Sequence, residues 1–198
     1  VVVADLEKRD ELCEKVQSLL DDGPIHILIN NSGGPKGGPL LSADEDEFTT
    51  AFGRHILAAH RLSQLIVPSM RSEGYGRIIN IISTSVYEPI PNLGVSNTIR
   101  GAMASWAKTL SRELPPGLTI NNVLPGFTDT ARLMQLGEGK AKKLGISSED
   151  VMKGWLSQVP EGRLAQPKET AEAIAFLASP KAGFIRGVSL AVDGGRLK

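Results

Sequence analysis

Cysteine is all but missing from the 198 residues: Cys13 stands alone, so no disulfide closes within the chain. That fits a reducing compartment, and a cytoplasmic location is expected. An excess of one charge is missing too. Twenty-two Lys and Arg residues balance 22 Asp and Glu, which removes the electrostatic case for nucleic acid or an anionic membrane surface. No apolar run approaches the ~20 residues that span a bilayer. The N-terminal VVVADLEKRD carries an acid where a secretory signal has a basic flank. Histidines are few, and His26, His55 and His60 have no metal-ligand spacing, so no metal site is expected. Repeats, low-complexity tracts and linkers are absent, which points to one domain over residues 1–198. What is present is ordinary for a globular chain: 41% hydrophobic and 22% charged residues.

The pattern of apolar residues predicts strands alternating with helices. Val1–Ala4 is a short β-branched run of the buried-strand type. Residues 6–20 follow a helical period that Asp22-Gly23-Pro24 ends. Strands are predicted at 25–29, 77–82, 118–124 and 187–192. A long helix is predicted from Ser42 or Asp44 to about Ser72, with Pro68 disturbing its last turns. Further helices are expected over 94–114, 148–158 and 168–178, the last with Pro167 in its first turn. Residues 125–146 have poor periodicity and read as a loop. Such alternation implies an α/β fold: a doubly wound parallel sheet in three layers, α/β/α. In that architecture ligands bind beyond the carboxyl ends of the strands.

Small polar residues and glycines stand at those ends: Asp5-Leu6, Asn30-Asn31-Ser32-Gly33, Ser83-Thr84-Ser85 and Pro125-Gly126 through Thr130. Loops use such residues in any case, but four strand ends of one composition make a polar crevice. The segments NNSG at 30–33, GRIINI at 76–81 and INNVLPGFTDT at 120–130, with the tail GRLAQPKETAEAIAFLASPKAGFIRGVSLAVDGG at 162–195, resemble the short-chain dehydrogenase/reductase family of Rossmann-type nicotinamide oxidoreductases. The likeness implies NAD or NADP as cofactor and a small-molecule substrate. It places Asp5 and Leu6 at the adenine, Asn30 in the central sheet, and Asn31, Ser32 and Gly33 along the cofactor. Pro125, Gly126 and Thr130 would lie at the nicotinamide half. Glycines at 33 and 126 suit close backbone approach to a ligand, and the Thr130 hydroxyl suits a carboxamide.

The family's catalytic pattern is a Ser, a Tyr thirteen residues on, and a Lys four beyond. Here the series reads Ser83, Ser96, Arg100. Ser96 and Arg100 share one helix face, and the family's helix Asn aligns with His55. An alcohol cannot titrate in the range a cation-assisted phenol can reach, whereas a guanidinium keeps the positive charge. Loss of general acid catalysis slows a reaction roughly 10²–10⁴-fold, so a slow enzyme is expected. Tyr87 or His55 is a candidate replacement donor; a loop aromatic and a helix-packing histidine are the plain alternatives. SNTIRGAM at 96–103, NSGGP at 31–35 and EPIPNL at 88–93 resemble a divergent subgroup, similar to 3-oxoacyl-carrier-protein reductases, that lacks the usual Tyr and Lys.

The family opens with a strand, a glycine-rich turn, and further strand and helix elements, about 50–60 residues that include the pyrophosphate cradle. They are expected to precede Val1 in the protein. In the family's strand order the two missing strands lie between Val1–Ala4 and the strand at 25–29. Otherwise a neighbouring chain covers that edge, or Val1–Ala4 pairs with it directly. The resemblance implies a homo-oligomer, a tetramer or dimer, and makes 131–160 a substrate lid. Three functions are weighed: a weak or atypical NAD(P)-dependent carbonyl/alcohol oxidoreductase, a non-catalytic dinucleotide-binding or scaffold protein, and an interaction protein without cofactor.

Overall fold

Ile78 and Ile79 are neighbours on one strand, and each is only 1% exposed. Adjacent strand residues point to opposite faces, so both faces of the sheet are covered. In a computed structural model that describes residues 1–197, the cover is helical on both sides. The chain runs α1 (Arg9–Asp22), β1 (Ile27–Asn30), α2 (Glu45–Phe52), a π-helical turn (Gly53–Leu57), α3 (Ala58–Ser72), β2 (Gly76–Ile81), α4 (Gly94–Glu113) and β3 (Leu118–Pro125). It continues through α5 (Ala131–Leu144), α6 (Ser148–Leu156), α7 (Pro167–Ala178) and β4 (Ser189–Val192).

The strands form one sheet in the order β1-β2-β3-β4, every pair parallel. Ile78 and Ile120 pack with Ile66, Met70 and Ala107 of α3 and α4. Ile79 and Val123 pack with Leu177 of α7. A third cluster, Leu133, Ala141, Val151 and Trp155, joins α5 to α6.

Three sequence expectations fail for physical reasons. Val1–Ala4 is not a strand: strands need a ladder partner, and β1 pairs with β2 alone among the described residues. Direct pairing of Val1–Ala4 with β1 therefore does not occur, and Ile27 and Ile29 stay 43% and 46% exposed along that edge. Within the expected loop 125–146, residues 131–144 are helix α5 instead. Thr130 caps α5 by accepting the Leu133 N–H at 3.3 Å, and Gly145 ends the helix in the left-handed region at φ 66°. The expected lid over 131–160 is accordingly a pair of packed helices. Pro68 does not disturb its helix, which runs on to Ser72; the break comes earlier, where Gly53–Leu57 widens into a π turn. Such turns collect at functional positions, and this one carries His55.

Candidate active site

The four strands are tied together by one polar row. Asn30, Asn80 and Asn122 are in register with one another and with Ser189. The Asn30 amide donates to Asn80 Oδ1 at 2.8 Å, Asn80 donates to Asn122 Oδ1 at 2.9 Å, and Asn122 donates to Ser189 Oγ at 3.0 Å. This polar ladder crosses the whole sheet. Asn30 is thereby bonded to the neighbouring strand through its side chain.

Above the ladder, β1 and β2 open into a crevice of about 110 Å³ lined by Leu6, Asn30, Asn31, Ser32, His55 and Arg100, with Ile82 and Met103 as its apolar wall. Arg100 leaves α4 and turns into the sheet. Its guanidinium donates to the Ile81 carbonyl at 2.8 Å and to the Ser32 carbonyl at 3.4 Å. Burial lowers its pKa to about 10, so it remains a cation at neutral pH. On the other side of Ser32 lies His55, whose Nδ1 is 2.6 Å from the Ser32 hydroxyl. Burial first, and the nearby Arg100 charge second, lower the His55 pKa to about 4; a hydrogen bond with the Gly33 backbone opposes them. At neutral pH His55 is therefore an uncharged ring. His55 and Arg54 also wall a second hollow of about 290 Å³, lined by Gly33, Lys36, Asp46 and Glu47.

The structure brings Leu6, Asn30, Asn31, Ser32, His55 and Arg100 to one crevice and leaves other candidates outside its lining. Ser83 directly follows Ile82 of the wall, and its Oγ accepts the Ser85 N–H at 3.1 Å. Ser96 sits half-buried in the first turn of α4, one turn before Arg100. Asp5 is exposed and accepts the Glu7 N–H. Gly33 lines the second hollow. Pro125 and Gly126 are half-buried. Gly126 lies so close to Asp193 that a Cβ would fall 2.7 Å from the Asp193 Cα. Thr130 is exposed, and its hydroxyl serves the α5 cap.

Neither tyrosine fills the place left by the missing phenol. Tyr87 is 60% exposed, because Thr84–Val86 forms a 3-10 turn that carries the next residue outward. Tyr75 donates its hydroxyl to the Ala178 carbonyl at 2.6 Å, at the start of β2 and so far from the strand ends. Sequence reasoning did not find Arg196, whose side chain returns from the C-terminal tail to Thr84 and Glu88. An arginine after a Gly-Gly pair gives no sign that it will turn inward.

Similarities to known proteins agree with this architecture. The family described as enoyl-(acyl carrier protein) reductase matches residues 1–196. The 3-oxoacyl-(acyl-carrier-protein) reductase FabG of Haemophilus influenzae is 35% identical over 196 residues, covering 98% of this chain and 75% of that protein. Its namesake in Vibrio cholerae is 33% identical over 190 residues, covering 93% and 72%. Among solved structures, YwfH, an NADPH-dependent reductase involved in bacilysin biosynthesis, superposes with a TM-score of 0.90 at 28% identity, covering 100% of this chain and 77% of that one. The Gluconobacter frateurii L-sorbose reductase complexed with NADPH and L-sorbose gives 0.89 at 28% identity, covering 100% and 76%. With its parallel sheet, its crevice at the strand ends and these relatives, the chain belongs to the short-chain dehydrogenase/reductase family of oxidoreductases.

Proposed function

We propose that the protein is an NAD(P)-dependent oxidoreductase that interconverts a carbonyl and an alcohol on a small 3-oxoacyl-like substrate, with a slow proton-transfer step. One observation carries this reading: a buried guanidinium that is charged at neutral pH, Arg100, is fixed by two backbone carbonyls at the mouth of β1 and β2. The crevice, of about 110 Å³, suits one sugar of a dinucleotide. In the hollow beside it a Cβ on Gly33 would meet nothing within 4 Å, so the backbone there is open to a neighbour. Leu6 offers an apolar contact, and Asn31, Ser32 and Arg100 offer polar ones. A bound nicotinamide would supply the hydride.

The chain's own residues handle position and charge. Ser83 accepts one backbone N–H, which leaves its hydroxyl proton free to donate to a substrate carbonyl. Arg100 would hold the ribose hydroxyls of a bound cofactor and offers positive charge, but it keeps its proton at neutral pH. Ser96 occupies the phenol's position with an alcohol that does not ionise there, so proton delivery is slowed by roughly 10²–10⁴-fold.

A second reading, a dinucleotide-binding protein without turnover, is favoured by the placement of both tyrosines away from the crevice. NADPH and NADH titrations followed by turnover with 3-oxoacyl thioesters separate the two. Binding with slow turnover that Ser83→Ala abolishes is expected. Binding without turnover favours the second reading, and no binding overturns both.

A cytoplasmic location belongs to the same proposal; no helix among the described residues is long and apolar enough to cross a membrane. So does self-association. Phe176 (46%), Phe184 (104%) and Leu190 (38%) are exposed around α7 and β4, and an apolar surface of this kind suits a second copy of the chain. Light scattering at a dimer or tetramer mass is expected.

A further inference from the structure

Arg196 has a buried guanidinium that neither the fold nor the proposed reaction accounts for. The tail that carries it is tightly wound. The Asp193 carboxylate accepts the N–H groups of Gly195 and Leu197 at 3.1 and 2.9 Å. Gly194 and Gly195 take φ values of 63° and 81°, in the region where side chains are strained. Side chains there would also collide: a Cβ on Gly194 would stand 2.8 Å from Val159 Cγ1. The tail therefore lies against the residues that follow α6, and the Glu161 N–H donates to the Gly194 carbonyl at 3.3 Å.

This winding turns Arg196 inward, leaving its side chain 7% exposed. Its Nη1 donates to Thr84 Oγ1 at 3.4 Å, and its Nη2 is 3.5 Å from Glu88 Oε2. Both partners follow Ser83 in one short loop. The guanidinium carbon is 5.2 Å from the centre of the Phe127 ring. Phe127 in turn stacks on Trp155 at 5.4 Å and 20°, and it packs in the cluster that joins α5 to α6. The Arg196 Nε is buried without a partner, as is the Ser85 hydroxyl beside it in sequence to Thr84. As a stability device this is poor, since a desolvated guanidinium with long contacts recovers little of its hydration. As a link it is effective, because one planar fork reaches the Ser83 loop, the loop after β3 and the helical cover together.

We infer that Arg196 is a positioning residue that couples the loop carrying Ser83 to the α5–α6 cover, so that substrate seating on one is felt by the other. The inference rests on the reading of Ser83 as substrate-facing, and it is tested by a signal that does not require turnover. In a Trp106→Phe background, Trp155 is the single indole, and its emission reports on the Phe127 stack. Acetoacetyl-coenzyme A added to the protein saturated with the oxidised cofactor, where the ketone cannot be reduced, is expected to shift that emission. Arg196→Leu is expected to abolish the shift and to raise the thioester KM by about tenfold, within the hundredfold that a misplaced group costs. NADPH affinity should stay unchanged. Arg196→Lys, which keeps the charge without the fork, should recover part of both effects. Glu88→Gln, at an exposed position that tolerates change, should raise KM by roughly twofold to threefold.

The coupling is overturned by a parent Trp155 emission that ignores the thioester, or by an Arg196→Leu protein that responds as the parent does. Equal losses of NADPH and thioester affinity also overturn it, since they mark general damage. If Ser83→Ala leaves turnover unchanged, the reading of Ser83 fails by itself while the Trp155 response still decides the coupling.

Discussion

Acid should find His55 before it finds most of the fold. The ring is 5% exposed, with Nδ1 against the Ser32 hydroxyl. Around it stand the Gly33 backbone, the Arg100 cation from α4 and the Arg54 cation from its own turn. Lys36, Asp46 and Glu47 line the hollow beside it. Burial is the largest cause that lowers its pKa from 6.5 to about 4. An unfolded chain takes up this proton near pH 6.5, and the folded one only near pH 4. Between those values the unfolded state binds more protons, so stability rises with pH across the window. The contribution is complete above pH 6.5 and is lost as pH falls toward 4. At pH 4.5 the difference amounts to about 2.5 kcal/mol. Urea unfolding of the parent and of His55→Asn at pH 7.5 and 4.5 measures it. The parent should lose about 2.5 kcal/mol more than the variant over that interval, and the His55 ring resonance should titrate near 4. Equal acid sensitivity in the two proteins would refute the argument.

Two further substitutions probe the site's frame. Arg100→Met removes the donor to the Ile81 and Ser32 carbonyls, and urea unfolding should show a loss of about 1–3 kcal/mol together with weaker NADPH binding. Gly126→Ala sets a methyl group 2.7 Å from the Asp193 backbone. It should lower the melting temperature and free the C-terminal tail, seen as faster amide exchange at Gly195 and Leu197, whose N–H groups Asp193 holds.

Much of this was written in the periodicity. Ile78 and Ile79, Ile120 and Val123 announce a sheet covered on both faces, and the residues at the strand ends announce where ligands gather. Arg100 reaches the crevice by donating to the Ile81 and Ser32 carbonyls, while Ser96, one turn before it, stays outside the lining. What escaped depended either on partners distant in the chain or on the exact path of a local turn. Val1–Ala4 has the composition of a strand, yet without a neighbour its backbone has no ladder to join. The start of α5 hides behind Thr130, whose hydroxyl reads as a ligand contact and acts as a cap. Tyr87 is four residues from Ser83, but a single tight turn decides which way it faces, and local spacing says nothing of that. His55 was legible as a departure from the family pattern, and Ser32 as a residue along the cofactor. That they meet at 2.6 Å is a fact of tertiary structure alone.

The row of amides through Asn30, Asn80, Asn122 and Ser189 has a direction. Each asparagine donates an N–H toward β4, and the row finishes on a serine oxygen. Sliding any strand by one residue would aim its rung at the opposite face and strand two polar groups in an apolar layer. The sheet therefore carries its own gauge, and the floor of the crevice is level before anything is bound. At its outer end, Asn30 donates inward through its side-chain nitrogen, and its Oδ1 is an acceptor. Any strand laid against β1 would be checked by the same gauge, and one bearing a donor at that height would fit.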